Sequence, residues 1–172
     1  MENRGTGAPS FRPAGEQDAQ RCYDIEVSAY EGDEAATREK IALRIAQYPQ
    51  GFLVMEIGGE GGSAIAGFIN CGCAHEVRMS AEEFKELVGH DALARNVVIM
   101  SVVIAPEYQG KGYASLLMRE FVERMKRMGK QTIHLMCKDR HVGLYEKLGY
   151  RYVKPSESDH GGMAWHEMIM EL

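Results

Sequence analysis

The sequence predicts a mixed α/β fold built around a central β-sheet, and three segments carry that prediction. Residues 96–104, NVVIMSVVI, form an almost unbroken apolar and β-branched run, the pattern of a central strand buried on both faces. Residues 112–128 place Ala114, Leu117, Met118, Phe121, Val122 and Met125 at the i, i+3, i+4, i+7, i+8, i+11 spacing of a one-faced helix. Residues 51–57 and 64–73 are apolar runs joined by Gly-Gly-Glu-Gly-Gly-Ser, which reads as a hairpin.

The remaining elements follow in chain order. Residues 1–10 are rich in Gly, Pro and polar side chains and are expected to be a disordered tail ahead of one domain over 11–172. Phe11–Pro13 reads as a short edge strand, and residues 16–30 as a helix of imperfect apolar spacing. Residues 37–47 read as a better helix: Thr37 can cap it, Ile41, Ile45 and Tyr48 share a face, and Pro49 and Gly51 stop it. Ser80 and Glu83 form a capping-box pattern, which predicts a helix to about Val88. Pro106 ends the central strand, and Gly129 closes the helix of residues 112–128. Residues 132–137 then read as a strand, and Asp139 as the cap of a short helix ending at Gly149. Residues 150–153 and 163–170 read as final strands joined by the polar segment PSESDHGG.

Composition sets the outer bounds. The 172 residues are 45% hydrophobic and 26% charged, with a net charge of -5, as in an ordinary globular protein. No apolar run reaches the roughly 18 residues of a membrane span, and the first residues lack an apolar signal core. No membrane or secretory role is therefore expected, and net acidity argues against nucleic acid as a partner. Four cysteines are too few for a disulfide scaffold, which points to a reduced, cytoplasmic protein. Cys71, Cys73 and His75 resemble half of a metal clip, but no second ligand pair accompanies them. They read as one face of a strand, and no metal is expected. Residues 1–95 carry 9 basic and 16 acidic side chains, against 11 and 9 in residues 96–172. That asymmetry would suit a cationic substrate beside an anionic cofactor, although an uneven solvated surface gives the same counts.

The segment with chemistry is Gln109-Gly-Lys-Gly112, between the central strand and the long helix. Its glycines let the backbone approach an anion, the first helical N–H groups are unpaired, and Lys111 adds a cation. A pyrophosphate fits that description. The loop is too short for GxxxxGK(S/T), and Gly110-Lys-Gly112 is followed by Ala114, Ser115 and Leu116 where a dinucleotide fingerprint would need its third glycine.

Gln109-Gly-Lys-Gly-Tyr-Ala114, preceded by Val103-Ile-Ala-Pro106, resembles the Q/R-x-x-G-x-G/A signature of the GNAT superfamily of acetyl-CoA-dependent N-acetyltransferases. Val142-Gly-Leu-Tyr-Glu-Lys-Leu-Gly-Tyr150 is similar to that family's second landmark. Within the superfamily, Leu135-Met-Cys-Lys-Asp139, Phe11-Arg12, Ile25-Glu26 and residues 33–40 most resemble the arylalkylamine (serotonin-type) group. The proline-containing stretch of its vertebrate members is missing from residues 30–37.

The resemblance implies a GNAT fold with a central mixed, mostly antiparallel sheet of six to seven strands flanked by helices. It implies direct acetyl transfer from acetyl-CoA, as co-substrate, to a small primary amine such as an arylalkylamine or polyamine. Val102, Val103 and Ile104 would hold the pantetheine arm, with a backbone N–H near Val103 polarising the thioester. Gln109, Gly110, Lys111, Gly112, Tyr113, Ala114 and Ser115 would form the pyrophosphate cradle. Tyr145 would be the general acid and would touch the cofactor.

The arylalkylamine group's two strand histidines are replaced by Val98 and Met100. The amine must then arrive neutral, lose its proton through ordered water, which is the favoured route, or use another side chain, with His141 ahead of His75 and His166 as candidates. Tyr30, Phe52 and Trp165 are candidate walls for the substrate. A CoA-binding module without catalysis, or an acetyltransferase of protein amines, remains an alternative. The expected state is a monomer or homodimer.

Overall fold

A computed structural model describes residues 8–30, 35–59, 62–157 and 164–172. Most of the expected tail, part of the 30–37 loop, the centre of the hairpin turn and most of PSESDHGG lie outside them. Seven strands form a single sheet in the order β1-β2-β3-β4-β5-β7-β6. They are β1 (Ser10–Pro13), β2 (Phe52–Gly59), β3 (Gly62–Ala74), β4 (Asn96–Ile104), β5 (Thr132–Cys137), β6 (Arg151–Pro155) and β7 (His166–Glu171). Every neighbouring pair is antiparallel except β4 with β5. This is the mixed, mostly antiparallel GNAT sheet, flanked by helices.

The helices are α1 (Ala19–Ala29), α2 (Arg38–Gln47), α3 (Tyr113–Arg127) and α4 (Val142–Lys147). Thr37 caps α2 as its position predicts, its hydroxyl accepting the Lys40 N–H at 3.2 Å. Leu117, Met118, Phe121 and Met125 of α3 are buried against Ile69, Val97, Ile133 and Leu135 on one face of the sheet. Cys22 and Ile25 of α1 join Ile41 and Ile45 of α2 over Phe52, Val54 and Phe68 on the opposite face. Burying a side chain such as Phe121 stabilises the fold by about 1.5–3 kcal/mol.

Several local expectations differ from the structure. Ser80 caps nothing: residues 82–86 form a 3₁₀ helix whose first flanking residue is Ala81, and Leu87 ends it in the left-handed region at φ 62°. Asp139 does not cap either, because it lies inside a 3₁₀ turn over Asp139–His141 that leads into α4. His75 falls beyond the end of β3 and is exposed, bonded to Asp91 at 2.8 Å. Phe52 is fully buried in the core rather than part of a substrate wall.

β4 is not buried on both faces along its length. Val98, Met100 and Val102 are half-buried and alternate with the buried Val97, Ile99, Ser101 and Val103. Asn70 pairs with Ser101 but Cys71 pairs with Ile99, so Met100 is an extra residue, a β-bulge. The bulge reverses the alternation. Val97 and Ile99 face the α3 side before it and Ile104 does so after it, whereas Val103 faces α1 and α2. Both sides of NVVIMSVVI are apolar because both halves of the strand must serve a core.

Candidate active site

The site begins where two parallel strands part. β4 and β5 pair only at Asn96↔Thr132, Val97↔Ile133 and Val98↔His134. From Ile99 onward that edge of β4 has no strand beside it. Ala105 N–H bonds the Ala66 carbonyl at 2.8 Å, and Val103 pairs with Phe68, so these residues turn their backbone groups toward β3. Val102 and Ile104 therefore point theirs to the open edge. Side chains hold both carbonyls there: Tyr30 Oη–H donates to Val102 O at 3.4 Å, and Gln109 Nε2 donates to Ile104 O at 2.9 Å. The N–H donors facing the open edge belong to Val102 and Ile104, and Val103, expected near the thioester, is turned away.

The turn after β4 has the form an anion cradle needs. Gly110 and Gly112 have φ 76° and 82°, a conformation that side chains disfavour, and a Cβ on either would meet only open space. Gly112 precedes α3, so the N–H groups of Tyr113, Ala114 and Ser115 have no helical acceptor, and the first helical bond runs from Leu116 N–H to Gly112 O. Lys111 is exposed, with its ammonium 6.0 Å from the Tyr108 ring, and Tyr108 packs edge-on against Tyr113 at 6.3 Å. Gln109 braces this turn to the end of β4. The residues thus suit a pyrophosphate on one side of the open edge and an extended arm along it.

On the other side of the edge lies a cavity of about 120 Å³. Tyr145 of α4 reaches its wall together with Val98, Met100 and Ser101 of β4. The Tyr145 ring packs at right angles on Tyr150, with centroids 5.8 Å apart, and its hydroxyl bonds no other described residue. Burial, and secondly the nearby Cys137, push its pKa above the ordinary tyrosine value, so the phenol keeps its proton at neutral pH. Tyr30 and Trp165 also line the cavity. His141, His75 and His166 do not. His141 is exposed at the start of α4, and His166 bonds Tyr152 Oη at 2.9 Å.

Two charged residues of this wall were not singled out by sequence reasoning. Glu26 of α1 is 1% exposed; its Oε2 accepts the Ala36 N–H at 2.7 Å and approaches the Ser101 hydroxyl at 3.5 Å. Arg44 of α2 is 3% exposed and donates to Lys85 O and Asn70 Oδ1 at 3.1 and 3.3 Å. A signal existed for each. Glu26 follows Cys22 by four residues and Arg44 follows Ile41 by three, so both are charges on the apolar face of a helix.

Among the described residues no group of three His, Cys, Asp or Glu side chains could hold a metal ion, and no helix is long and apolar enough to cross a membrane. The four cysteines are free thiols and all are buried.

A sheet that parts between β4 and β5, next to a glycine turn at the head of a long helix, defines the acyltransferase-type fold that the sequence motifs pointed to. The acetyltransferase (GNAT) family model matches residues 19–150, and the chain belongs to that family. Solved structures agree on the fold. The loading GNATL domain of CurA from Lyngbya majuscula is 14% identical with a TM-score of 0.80, covering 96% of this chain and 98% of that one. The yncA protein of Salmonella typhimurium, solved with acetyl-CoA, is 21% identical with a TM-score of 0.69, over 96% and 95%. A phosphinothricin acetyltransferase from Sinorhizobium meliloti, also with acetyl-CoA, is 20% identical with a TM-score of 0.68, over 96% and 89%. No curated protein sequence matches the chain significantly.

Proposed function

We propose that this protein transfers the acetyl group of acetyl-CoA to a small primary amine in a ternary complex. The observation that carries this reading is the continuity between the open edge of β4 and a cavity lined by Tyr145, whose hydroxyl bonds no described residue and whose burial disfavours loss of its proton. The N–H groups of residues 110–115 and Lys111 hold the pyrophosphate, and the backbone of Val102 and Ile104 holds the pantetheine arm. Acetyl-CoA, when bound, supplies the activated acyl carbon.

The amine nitrogen forms the new bond to that carbon as the bond to sulfur breaks. N–H donors on the open edge steady the charge that develops on the acyl oxygen. Tyr145 gives its proton to the departing thiolate and regains one from solvent. The proton lost by the amine leaves through water to Glu26, a carboxylate in the same wall. Val98 and Met100, which are apolar, keep the neighbouring surface dry.

The resemblance in sequence favours an arylalkylamine, and Tyr30, Phe84 and Trp165 offer rings for such a substrate. A polyamine suits the cavity less well, because Lys40, Arg44, Arg78 and Lys85 all line it. Free, buried thiols fit a cytoplasmic, reducing setting.

The test is release of the CoA thiol from acetyl-CoA by the purified protein with tryptamine, phenethylamine, spermidine or a lysine peptide. Release with a small amine, and with none of the others at comparable rate, supports the reading. Tight acetyl-CoA binding without release across all small amines would refute it in favour of a non-catalytic CoA-binding module.

A further inference from the structure

We infer that the acceptor of this site carries a carboxylate beside its amine, an amino acid with an apolar or aromatic side chain rather than the bare amine. The inference rests on the acetyltransferase reading above and narrows its substrate class. It starts from Arg44. A guanidinium that is 3% exposed has lost its water, and buried charges are ordinarily paired. Among the described residues Arg44 has no such pair: its two hydrogen bonds go to neutral acceptors, a backbone carbonyl and the Asn70 amide oxygen. Its Nη2 donates to neither and the side chain lines the cavity. Desolvation pulls its pKa down to about 10, only partly offset by the charge of Glu26.

The neighbouring charges have the same sign. Burial lowers the pKa of Lys85, beside Arg44, its Glu82 partner opposes that, and the charges of Lys40 and Arg44 lower it further. Lys40 lines the same cavity, and its ammonium makes no bond among the described residues. Lys85 is paired with Glu82 at 2.7 Å and Arg78 with Glu76 at 3.3 Å, which leaves Arg44 and Lys40 as the lining cations with no carboxylate partner among the described residues, and an anion between them would be favourable. A carboxylate oxygen could accept from the Nη2 that Arg44 leaves unused, a charge-assisted bond.

The rest of the wall fits the remainder of an amino acid. Glu26 offers the one described acidic side chain of the lining, on which an ammonium can shed its proton. Phe84, Met136 and Trp165 offer an apolar surface for a side chain. The cavity, at about 120 Å³, is on the scale of a small molecule rather than a folded chain.

Matched substrates that differ only in the carboxylate test this directly. With acetyl-CoA, kcat/KM is measured for phenylalanine against phenethylamine and for tryptophan against tryptamine. The expected result is a preference for the amino acid of about tenfold or more, the worth of a hydrogen bond to a charged group. In Arg44→Met that ratio falls toward one, and in Arg44→Lys it is partly restored. Should Arg44→Met fail to fold, Lys40→Gln lowers the same ratio by a smaller factor. Preference for the decarboxylated amine in the wild type, or a variant that loses both members of a pair equally, overturns the inference.

Failure of the transferase reading is read separately. If no amine is acetylated, calorimetry compares N-acetylphenylalanine with N-phenethylacetamide. Tighter binding of the carboxylate by tenfold, lost in Arg44→Met, upholds the anion site, and equal binding refutes it.

Discussion

Tyr145→Phe separates chemistry from packing because the structure gives the hydroxyl no structural task. The phenol bonds no described residue, while the ring holds an edge-on contact with Tyr150 at 5.8 Å. Phenylalanine keeps that contact, worth about 0.5–1.5 kcal/mol. Folding stability should therefore change by no more than about 0.5 kcal/mol, and Tm by no more than about 2 °C in a chain of this size. Activity should respond very differently. A positioned general acid contributes about 10²–10⁴-fold, or about 3–5 kcal/mol of barrier, and Phe removes all of it.

The pH dependence adds an independent check. Burial disfavours the phenolate, so Tyr145 stays protonated beyond the ordinary tyrosine value of about 10. Wild-type kcat/KM should rise with pH as the amine loses its proton and should show no falling limb below about pH 10. CoA-thiol release from pH 6 to 10, with a thermal melt of each protein, measures both. A loss of activity under threefold would remove Tyr145 from the mechanism. A drop in Tm of more than about 4 °C would show that the hydroxyl holds the fold instead, and a falling limb near pH 8 would contradict the burial argument.

Three further outcomes follow from local geometry. Gly112→Ala should lower stability by about 1–2 kcal/mol, since φ is 82° and the new Cβ meets nothing within 4 Å, so the cost is purely conformational. Its CoA affinity, measured by calorimetry, should fall as well because the N–H groups of the turn are re-aimed. Gly67→Ala places a Cβ 2.6 Å from the Val103 carbonyl oxygen, a backbone atom that cannot yield without parting β3 from β4. A loss of about 1–3 kcal/mol in chemical denaturation is expected. Asp18→Asn should cost about 1.5–3 kcal/mol at pH 7, because Asp18 accepts two Arg12 bonds at 2.7 and 3.0 Å and the Gly15 N–H at 2.7 Å. Those bonds, Arg12 foremost, hold its pKa below the ordinary carboxylate value. The stability they give is complete above about pH 3.9 and disappears as pH falls through the lower folded value. The gap between wild type and variant in urea midpoints should therefore close in strong acid.

The sequence showed most clearly those elements whose burial is one-sided and periodic. Helix α3 is the clearest, with four of its six predicted apolar positions fully buried and the other two, Ala114 and Val122, packed at the margin. Residues 80–83 carried a capping signature just as plain, yet the segment became 3₁₀. Phe84 lies against Gly72 so closely that a Cβ there would sit 2.6 Å from its ring, and Leu87 turns into the left-handed region to bury its side chain. Packing against β3 decided the backbone there, and a four-residue motif carries no information about that contact. The bulge at Met100 was equally hidden. Any register of NVVIMSVVI offers apolar side chains to both faces, so composition cannot reveal that one residue is extra. That bulge and the parting of β4 from β5 govern which backbone groups reach the open edge. For the same reason, Val102 and Ile104 present groups there and Val103 does not.

The charge of the chain points one way and the charge of the cavity the other, and distance explains the difference. Residues 1–95 are the more acidic part of the molecule, which invited a cationic substrate. Several of their carboxylates are occupied elsewhere: Asp18 and Glu56 by Arg12, Asp91 by His75, Glu82 by Lys85. A screened surface charge acts over about 8–10 Å, so such pairs contribute little to the potential inside a cavity beyond that range. Arg44 is 3% exposed and lines the cavity itself, where a low dielectric strengthens its field. An acceptor is chosen by the few charges it touches after desolvation. In this cavity those include the carboxylate of Glu26 and the cations Arg44 and Lys40, a combination complementary to the amine-and-acid acceptor inferred above.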